Sequence, residues 1–277
     1  MAEGVGPIHI ALVFDDNFWA PAYAVMRSVA LHTHRRRDLR FHLVHQPLTE
    51  EHVADLRRIE DEFGCEITWY ALAGMPEFEE MVRELPSYHR ISKVTYARLI
   101  LDRLLDPTIE RVIYLDCDVM VRDAIEKLHE VDLGGHPIGA VRDAGAPLEA
   151  FEADHRTRSG FDPADPYFNS GVMVIDVARW RDARITEWIA KLIAEGRASR
   201  LFLDNDILNI IFRGRWQPLP NGWNFQSPRH LHEPLVPSIV HYTGEYKPWA
   251  LYGPCAYRRI YRRIMTNELF YRYMRHR

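Results

Sequence analysis

Two aspartates one residue apart, Asp116 and Asp118, follow directly on Arg111-Val112-Ile113-Tyr114-Leu115. That run, rich in β-branched and aromatic side chains, reads as a buried strand delivering its acids to a sheet edge. Side chains alternate along a strand, so Asp116 and Asp118 share one side while Cys117 takes the other. Carboxylates held that close repel unless a cation sits between them, and hard oxygens at the mouth of a parallel sheet suit Mg²⁺ or Mn²⁺. An ion there is available to a phosphate. Solvated acids in a turn are the plainer alternative, and these residues alone leave both open.

Three further groups could carry chemistry. Asp15-Asp16-Asn17 follows the first apolar run. It lacks G-x-G-x-x-G, and its acids would repel a pyrophosphate but accept hydrogen bonds from a base N–H or a ribose hydroxyl. Helix capping by Asp16 or Asn17 explains the turn equally well. Arg98 lies in a helical pattern over 93–105 whose apolar face is Tyr96, Leu99, Ile100 and Leu104. Placed on the wetter side, it could reach a phosphate or sugar, or pair with an acid. Asp204-Asn205-Asp206 opens a short helix, where capping is again sufficient. His32, His34, His42 and His45 match no ligand spacing and read as surface histidines.

The elements that must position these groups follow from periodicity. Strands are expected at 9–14, 40–44, 65–69, 138–141 and 167–176, and helices at 18–31, 49–63 (capped by Thr49) and 178–195. Strand, polar turn, helix opens a doubly wound sheet, which binds ligands at the carboxyl ends of its strands. The aperiodic stretch 145–166 reads as a loop or lid over that edge. With 277 residues, 47% hydrophobic and 27% charged, the chain is expected to form one α/β domain over 1–250 and a tail over 251–277. A net charge of -4 argues against general nucleic-acid binding, and no apolar run approaches a membrane span. The amino end lacks the pattern of a secretion signal, so a cytoplasmic location is expected. Cys65, Cys117 and Cys255 read as reduced, buried thiols.

Six motifs occur in order: Asp15-Asp16-Asn17-Phe18, Thr95-Tyr96-Ala97-Arg98-Leu99, Tyr114-Leu115-Asp116-Cys117-Asp118, Phe168-Asn169-Ser170-Gly171-Val172, Asp204-Asn205-Asp206-Ile207-Leu208-Asn209 and His241-Tyr242-Thr243-Gly244-Glu245-Tyr246-Lys247-Pro248-Trp249. On them the chain resembles the family-eight retaining glycosyltransferases, the group of glycogenins and bacterial lipopolysaccharide galactosyl- and glucosyltransferases. The resemblance implies a GT-A-like α/β fold with a mixed central sheet flanked by helices. It implies that Asp116, Asp118 and His241 hold Mn²⁺, with Mg²⁺ the alternative, against the diphosphate of a UDP-sugar. Asp15 and Asn17 would read the uracil or ribose and Phe18 would lie against the base. Gly244 and Lys247 would contact the diphosphate, and Cys117 is counted with the donor-binding residues. Arg98, Asp143, Asn169, Asp204 and Asn205 would surround the donor sugar, with Arg98, Asp204 and Asn205 the catalytic candidates. The family commonly carries Gln where Asn205 stands, one methylene longer.

The reaction implied is transfer of a hexose, glucose or galactose, to a glycan or glycolipid acceptor with anomeric configuration kept. Retention could run through a carboxylate nucleophile, for which Asp204 is the candidate, or by attack on the face the diphosphate leaves, which we favour. In the tail, Tyr257, Ile260, Tyr261 and Ile264 recur at helical spacing opposite Arg258, Arg259, Arg262 and Arg263. That suits a helix on an anionic membrane, and equally a terminal helix packed on the domain. Two rival readings of the acid pair are a haloacid-dehalogenase-like, Mg²⁺-dependent phosphatase and a silent UDP-sugar binder. The first leaves His241 to Lys247 unexplained, and Asn205 keeps the second open.

Overall fold

The first apolar run forms β1 (Ile8–Phe14) in a computed structural model that describes residues 6–87, 92–143, 161–162 and 165–276. The other strands are β2 (Leu39–His45), β3 (Glu66–Ala71), β4 (Arg111–Leu115), β5 (Val119–Val121), β6 (Ile138–Arg142), β7 (Phe168–Asp176), β8 (Trp216–Pro218), β9 (Phe225–Gln226) and β10 (Ile239–His241). Among the described residues they form a seven-stranded sheet in the order β3-β2-β1-β4-β7-β6-β8 and a three-stranded sheet β5-β10-β9. In the large sheet β1 runs parallel to β2 and β4, whereas β7 is antiparallel to β4 and β6, so the sheet is mixed. The carboxyl ends of β1 and β4 consequently open on the same edge.

The α-helices are α1 (Trp19–Leu31), α2 (Glu50–Phe63), α3 (Pro76–Arg83), α4 (Leu101–Leu104), α5 (Glu126–His129), α6 (Val177–Asp182), α7 (Ile185–Ala194), α8 (Leu203–Ile211), α9 (Arg258–Met265) and α10 (Asn267–His276). Strand alternation divides the core in two. Ile10, Leu12, Phe14, Ile113 and Leu115 face α1, α2, the small sheet and the two terminal helices. Ala11, Val13, Val112 and Tyr114 face the 93–105 segment, α3 and α6 to α8. Thr49 caps α2 by accepting from the His52 N–H, as its hydroxyl ahead of a helical run dictates. The three cysteines are free and buried.

Several expectations are corrected. The acid-bearing strand ends at Leu115, and Asp116 to Asp118 form the turn into β5, an element that periodicity did not reveal. The 93–105 segment is a tight 3-10 coil over Lys93–Ile100 before the single turn of α4. Arg184, in the left-handed region at φ 49°, breaks the helix expected over 178–195 so that Ile185, Ile189 and Leu192 can turn inward. His42 is not a surface residue: its ring is buried between the His9 ring (2.9 Å) and the Tyr70 hydroxyl (3.0 Å). The lid expected over 145–166 lies almost wholly outside the described residues.

The tail packs on the domain. Tyr257, Tyr261, Ile264, Met265, Leu269, Phe270 and Tyr273 are buried, leaving Ile260 partly exposed. Arg27 donates to the last carbonyls of α9, at Arg263 and Ile264, where a helix accumulates negative potential. Arg272 of α10 grips Asp55 of α2 through two hydrogen bonds, 2.9 and 2.7 Å. Most of the aromatic side of the tail is thus spent against α1, Tyr242 and Trp249, and Tyr271 stays exposed. No helix among the described residues is long and apolar enough to cross a membrane.

Candidate active site

Two pairings bring distant side chains to one point. The Asp116 N–H donates to the Gly171 carbonyl (2.8 Å), extending the β4–β7 ladder by one step, and the Tyr242 N–H donates to the Asp118 carbonyl (2.9 Å). Because β10 pairs with β5 in the register His241↔Val119, the imidazole lands beside the acid turn. His241 Nε2 lies 3.1 Å from Asp118 Oδ1 and 3.7 Å from Asp116 Oδ2. One ligand atom from each residue falls within 4.8 Å of the others, a set that could hold a metal ion. The ring and Asp116 can stand this close to β7 only because residue 171 is glycine: a Cβ there would sit 2.2 Å from His241 Cε1 and 2.6 Å from Asp116 Oδ2. Two carboxylate oxygens and one imidazole nitrogen converging this closely fit a fairly hard divalent ion.

Each acid is gripped on the oxygen turned away from the imidazole or on its flank. Asp116 Oδ1 accepts from Arg98 Nη2 and from the Tyr114 hydroxyl, both at 2.8 Å. Asp118 Oδ2 accepts from Lys247 Nζ at 2.6 Å, and that ammonium also donates to the Tyr242 carbonyl. Burial opposes the charge on Asp118, but Lys247 and His241 outweigh it and hold the carboxyl far below the usual range. Burial pushes the Cys117 thiol well up, keeping it a thiol, and its sulfur faces the Val13 carbonyl on the opposite side.

Arg98 departs from its expected exposure and is almost wholly buried. Its Nε reaches the Thr95 carbonyl and Asp204 Oδ2, Nη1 reaches the carbonyl and hydroxyl of Ser170, and Nη2 reaches Thr95 Oγ1 and Asp116. Its guanidinium also lies 4.4 Å from the centre of the Tyr114 ring. A guanidinium has five N–H donors, and these contacts occupy them. A buried cation persists here because carboxylates face it, and burial's penalty on its charge is outweighed by Asp116 and Asp204. Asp204 is not a simple cap. Its Oδ1 accepts from Thr95 Oγ1 (2.9 Å), its Oδ2 accepts from Ser170 Oγ and pairs with the Arg98 guanidinium, and burial raises its pKa against the pull of Arg98. Leu203, at φ 55°, turns the chain immediately before it.

Asp206 does act as a cap, accepting from the Phe202 N–H at 2.6 Å. Asn205 is anchored at both ends, Oδ1 accepting from the Ser170 N–H (2.8 Å) and Nδ2 donating to the Tyr167 hydroxyl (2.9 Å). Asp143 lies just past a register shift in β6 and accepts from Asn169 Nδ2 at 3.3 Å. At the end of β1, Asp15 caps a 3-10 turn through the Asn17 N–H, Asn17 is exposed, and Phe18 meets the Trp249 ring edge-on at 5.9 Å. Asp16 pairs instead with His52 (2.7 Å). Gly244 adopts φ 77°, which a side chain would strain.

The sequence did not single out Tyr114, Gly171 or Asn224. Tyr114 was findable, since it stands two residues before Asp116 and so on the same side of the strand. Gly171 sat inside a quoted motif, but only the β4–β7 register gives it a neighbour. Asn224, in an ordinary turn before β9, offers no signal.

The whole arrangement is similar to a solved structure described as the galactosyltransferase LgtC in complex with donor and acceptor sugar analogs. The TM-score is 0.78 at 25% identity, covering 93% of this chain and 95% of that one. Fold and site together define the class, a glycosyltransferase of the GT-A fold. The chain belongs to glycosyl transferase family 8, whose model matches residues 9–252. General stress protein A of Bacillus subtilis (strain 168) is 28% identical over 260 residues, covering 87% of each chain. Probable galacturonosyltransferase-like 7 of Arabidopsis thaliana is 29% identical over 260 residues, covering 87% of this chain and 70% of that protein.

Proposed function

We propose that this glycosyltransferase moves a hexose, glucose or galactose, from a UDP-sugar to a saccharide or lipid-linked saccharide with retained configuration, using Mn²⁺ held by Asp116, Asp118 and His241. The observation that carries the metal assignment is the convergence of an imidazole nitrogen and two carboxylate oxygens within 4.8 Å of one another, with the ring and Asp116 packed against a residue that has no Cβ. When bound, the ion neutralises the charge that builds on the departing diphosphate. The chain's own residues do the rest. Asp15 and Asn17 offer acceptors to the nucleoside at the carboxyl end of β1, with Phe18 beside the base. Lys247 adds a point charge for the diphosphate, and the left-handed backbone at Gly244 lets the main chain approach it.

Asp143, Asn169 and Asn205 line the sugar side, and Arg98 serves by fixing Asp116 and Asp204. Both oxygens of Asp204 are engaged by protein donors, which supports same-face attack over a carboxylate nucleophile. Family membership displaces the phosphatase reading. Where the acceptor is lipid-linked, the protein works in the cytoplasm at the inner membrane face. The tail would meet anionic lipid through its arginine side with the exposed Tyr271 and Ile260, the rest of its aromatic side being buried.

The test is UDP release from UDP-glucose and UDP-galactose, with Mn²⁺ or with chelator, by the wild type and Asp118→Ala. Metal-dependent turnover lost in the variant supports the proposal. Tight donor binding without turnover would mark a silent binder, and turnover indifferent to chelator would refute the metal role.

A further inference from the structure

We infer that Asn224 is a positioning residue that sets the tautomer of His241, so that the ring presents a bare Nε2 to the metal. The inference rests on the proposed metal role of His241. It comes from following hydrogen-bond polarity through an amide relay whose ends cannot reverse. Asp143 Oδ2 can only accept, so the Asn169 atom 3.3 Å away is the amide nitrogen. The Gly171 backbone N–H can only donate, and it points at the other Asn169 atom, 3.0 Å away, which is thereby the carbonyl oxygen. Both constraints agree on one orientation of Asn169.

That carbonyl oxygen also receives Asn224, at 2.9 Å, so Asn224 turns its nitrogen to Asn169 and its own oxygen to His241. His241 Nδ1, 2.8 Å from that oxygen, must carry a hydrogen. In the neutral ring the proton is then committed to Nδ1, and the lone pair is on Nε2, the atom facing Asp116 and Asp118. The relay is sheltered: Asn224 and His241 are 2% and 3% exposed, so water does not compete for the amide. An imidazole whose far nitrogen donates to a fixed acceptor is oriented and made a better ligand. It also gives Asn169 a task toward the imidazole in addition to any contact with the donor sugar.

The experiment titrates Mn²⁺ alone into the purified full chain, without nucleotide, and reads free Mn²⁺ by electron paramagnetic resonance. Wild type, Asn224→Ala, Asn224→Asp and Asp118→Ala are compared, each with a melting curve. Asn224→Ala is expected to bind Mn²⁺ about 10- to 100-fold more weakly. Asn224→Asp is expected to stay within about threefold of wild type, since a carboxylate still accepts from Nδ1–H. Its melting temperature falls, because its second oxygen then faces the Asn169 carbonyl. A merely structural role would not separate affinity from stability in this way.

Wild-type affinity in Asn224→Ala overturns the inference, as does Asn224→Asp binding as weakly as Asn224→Ala. Should Asn224→Ala fail to fold, a loss of about tenfold or more in Asn224→Asp overturns it and near-wild-type binding supports it. If wild type binds no better than Asp118→Ala, the metal reading itself fails and takes this inference with it.

Discussion

Gly171→Ala adds a single methyl group where the His241 ring and the Asp116 carboxylate press against β7. The backbone tolerates it, because Gly171 lies within β7 and lacks the positive φ that would exclude a side chain. The conflict is entirely with the site. The new Cβ would stand 2.2 Å from His241 Cε1, 2.6 Å from Asp116 Oδ2 and 2.9 Å from His241 Nδ1. Carbon atoms in contact rest at about 3.5–4.0 Å, so ring or strand must retreat by more than ~1 Å. Coordination tolerates about 0.2 Å. Mn²⁺ affinity and turnover should each fall at least ~100-fold, about 2.7 kcal/mol. Overpacking costs about 1–3 kcal/mol of stability, which leaves a domain of ordinary stability folded. Manganese titration, UDP release and a melting curve on the same preparation check all three. A folded Gly171→Ala protein within about threefold of wild type in affinity and turnover would show that the glycine does not set the geometry of the three ligands.

Tyr114→Phe removes one of the two donors on Asp116 Oδ1 and leaves Arg98; Mn²⁺ affinity should drop about 3- to 10-fold, and an unchanged titration would show that the hydroxyl does not matter. Deleting residues 256–277 uncovers the faces that Tyr261, Ile264, Phe270 and Tyr273 cover. At about 1.5–3 kcal/mol per buried side chain, that loss rivals a domain's whole stability, so the truncated chain should melt far lower or not fold; wild-type melting would contradict this. His42 titrates at about 4, mainly through burial and secondarily through His9, against 6.5 when unfolded. Its neutral form is favoured by folding, so stability is complete above pH ~6.5 and declines toward pH 4 by up to about 3 kcal/mol. His42→Gln should flatten that slope in urea midpoints measured between pH 7.5 and 4.5, and parallel slopes would exclude His42 as its source.

What could be read from the chain was whatever local pattern determines. The strand before Asp116 declares itself by its apolar run, Thr49 by its place before a helical run, and the tail by aromatic residues at helical spacing. The ordered motifs then named the residues that the fold brings together, including His241, 123 positions beyond Asp118. What stayed hidden depends on register. Periodicity cannot report that a glycine of β7 stands opposite Asp116, nor that Asn224 supports the ring of His241. A guanidinium normally belongs in water, and only Asp116 and Asp204 together make the burial of Arg98 tolerable. His42 escaped for the same reason, since its partners come from neighbouring strands.

The most direct test is anomalous diffraction from crystals of the full chain grown with Mn²⁺ and UDP. One manganese peak is expected at coordinating distance, about 2.0–2.3 Å, from a carboxylate oxygen of Asp116, a carboxylate oxygen of Asp118 and Nε2 of His241, with the diphosphate on its open side. A peak bound elsewhere, or one that leaves His241 uncoordinated, would contradict that assignment.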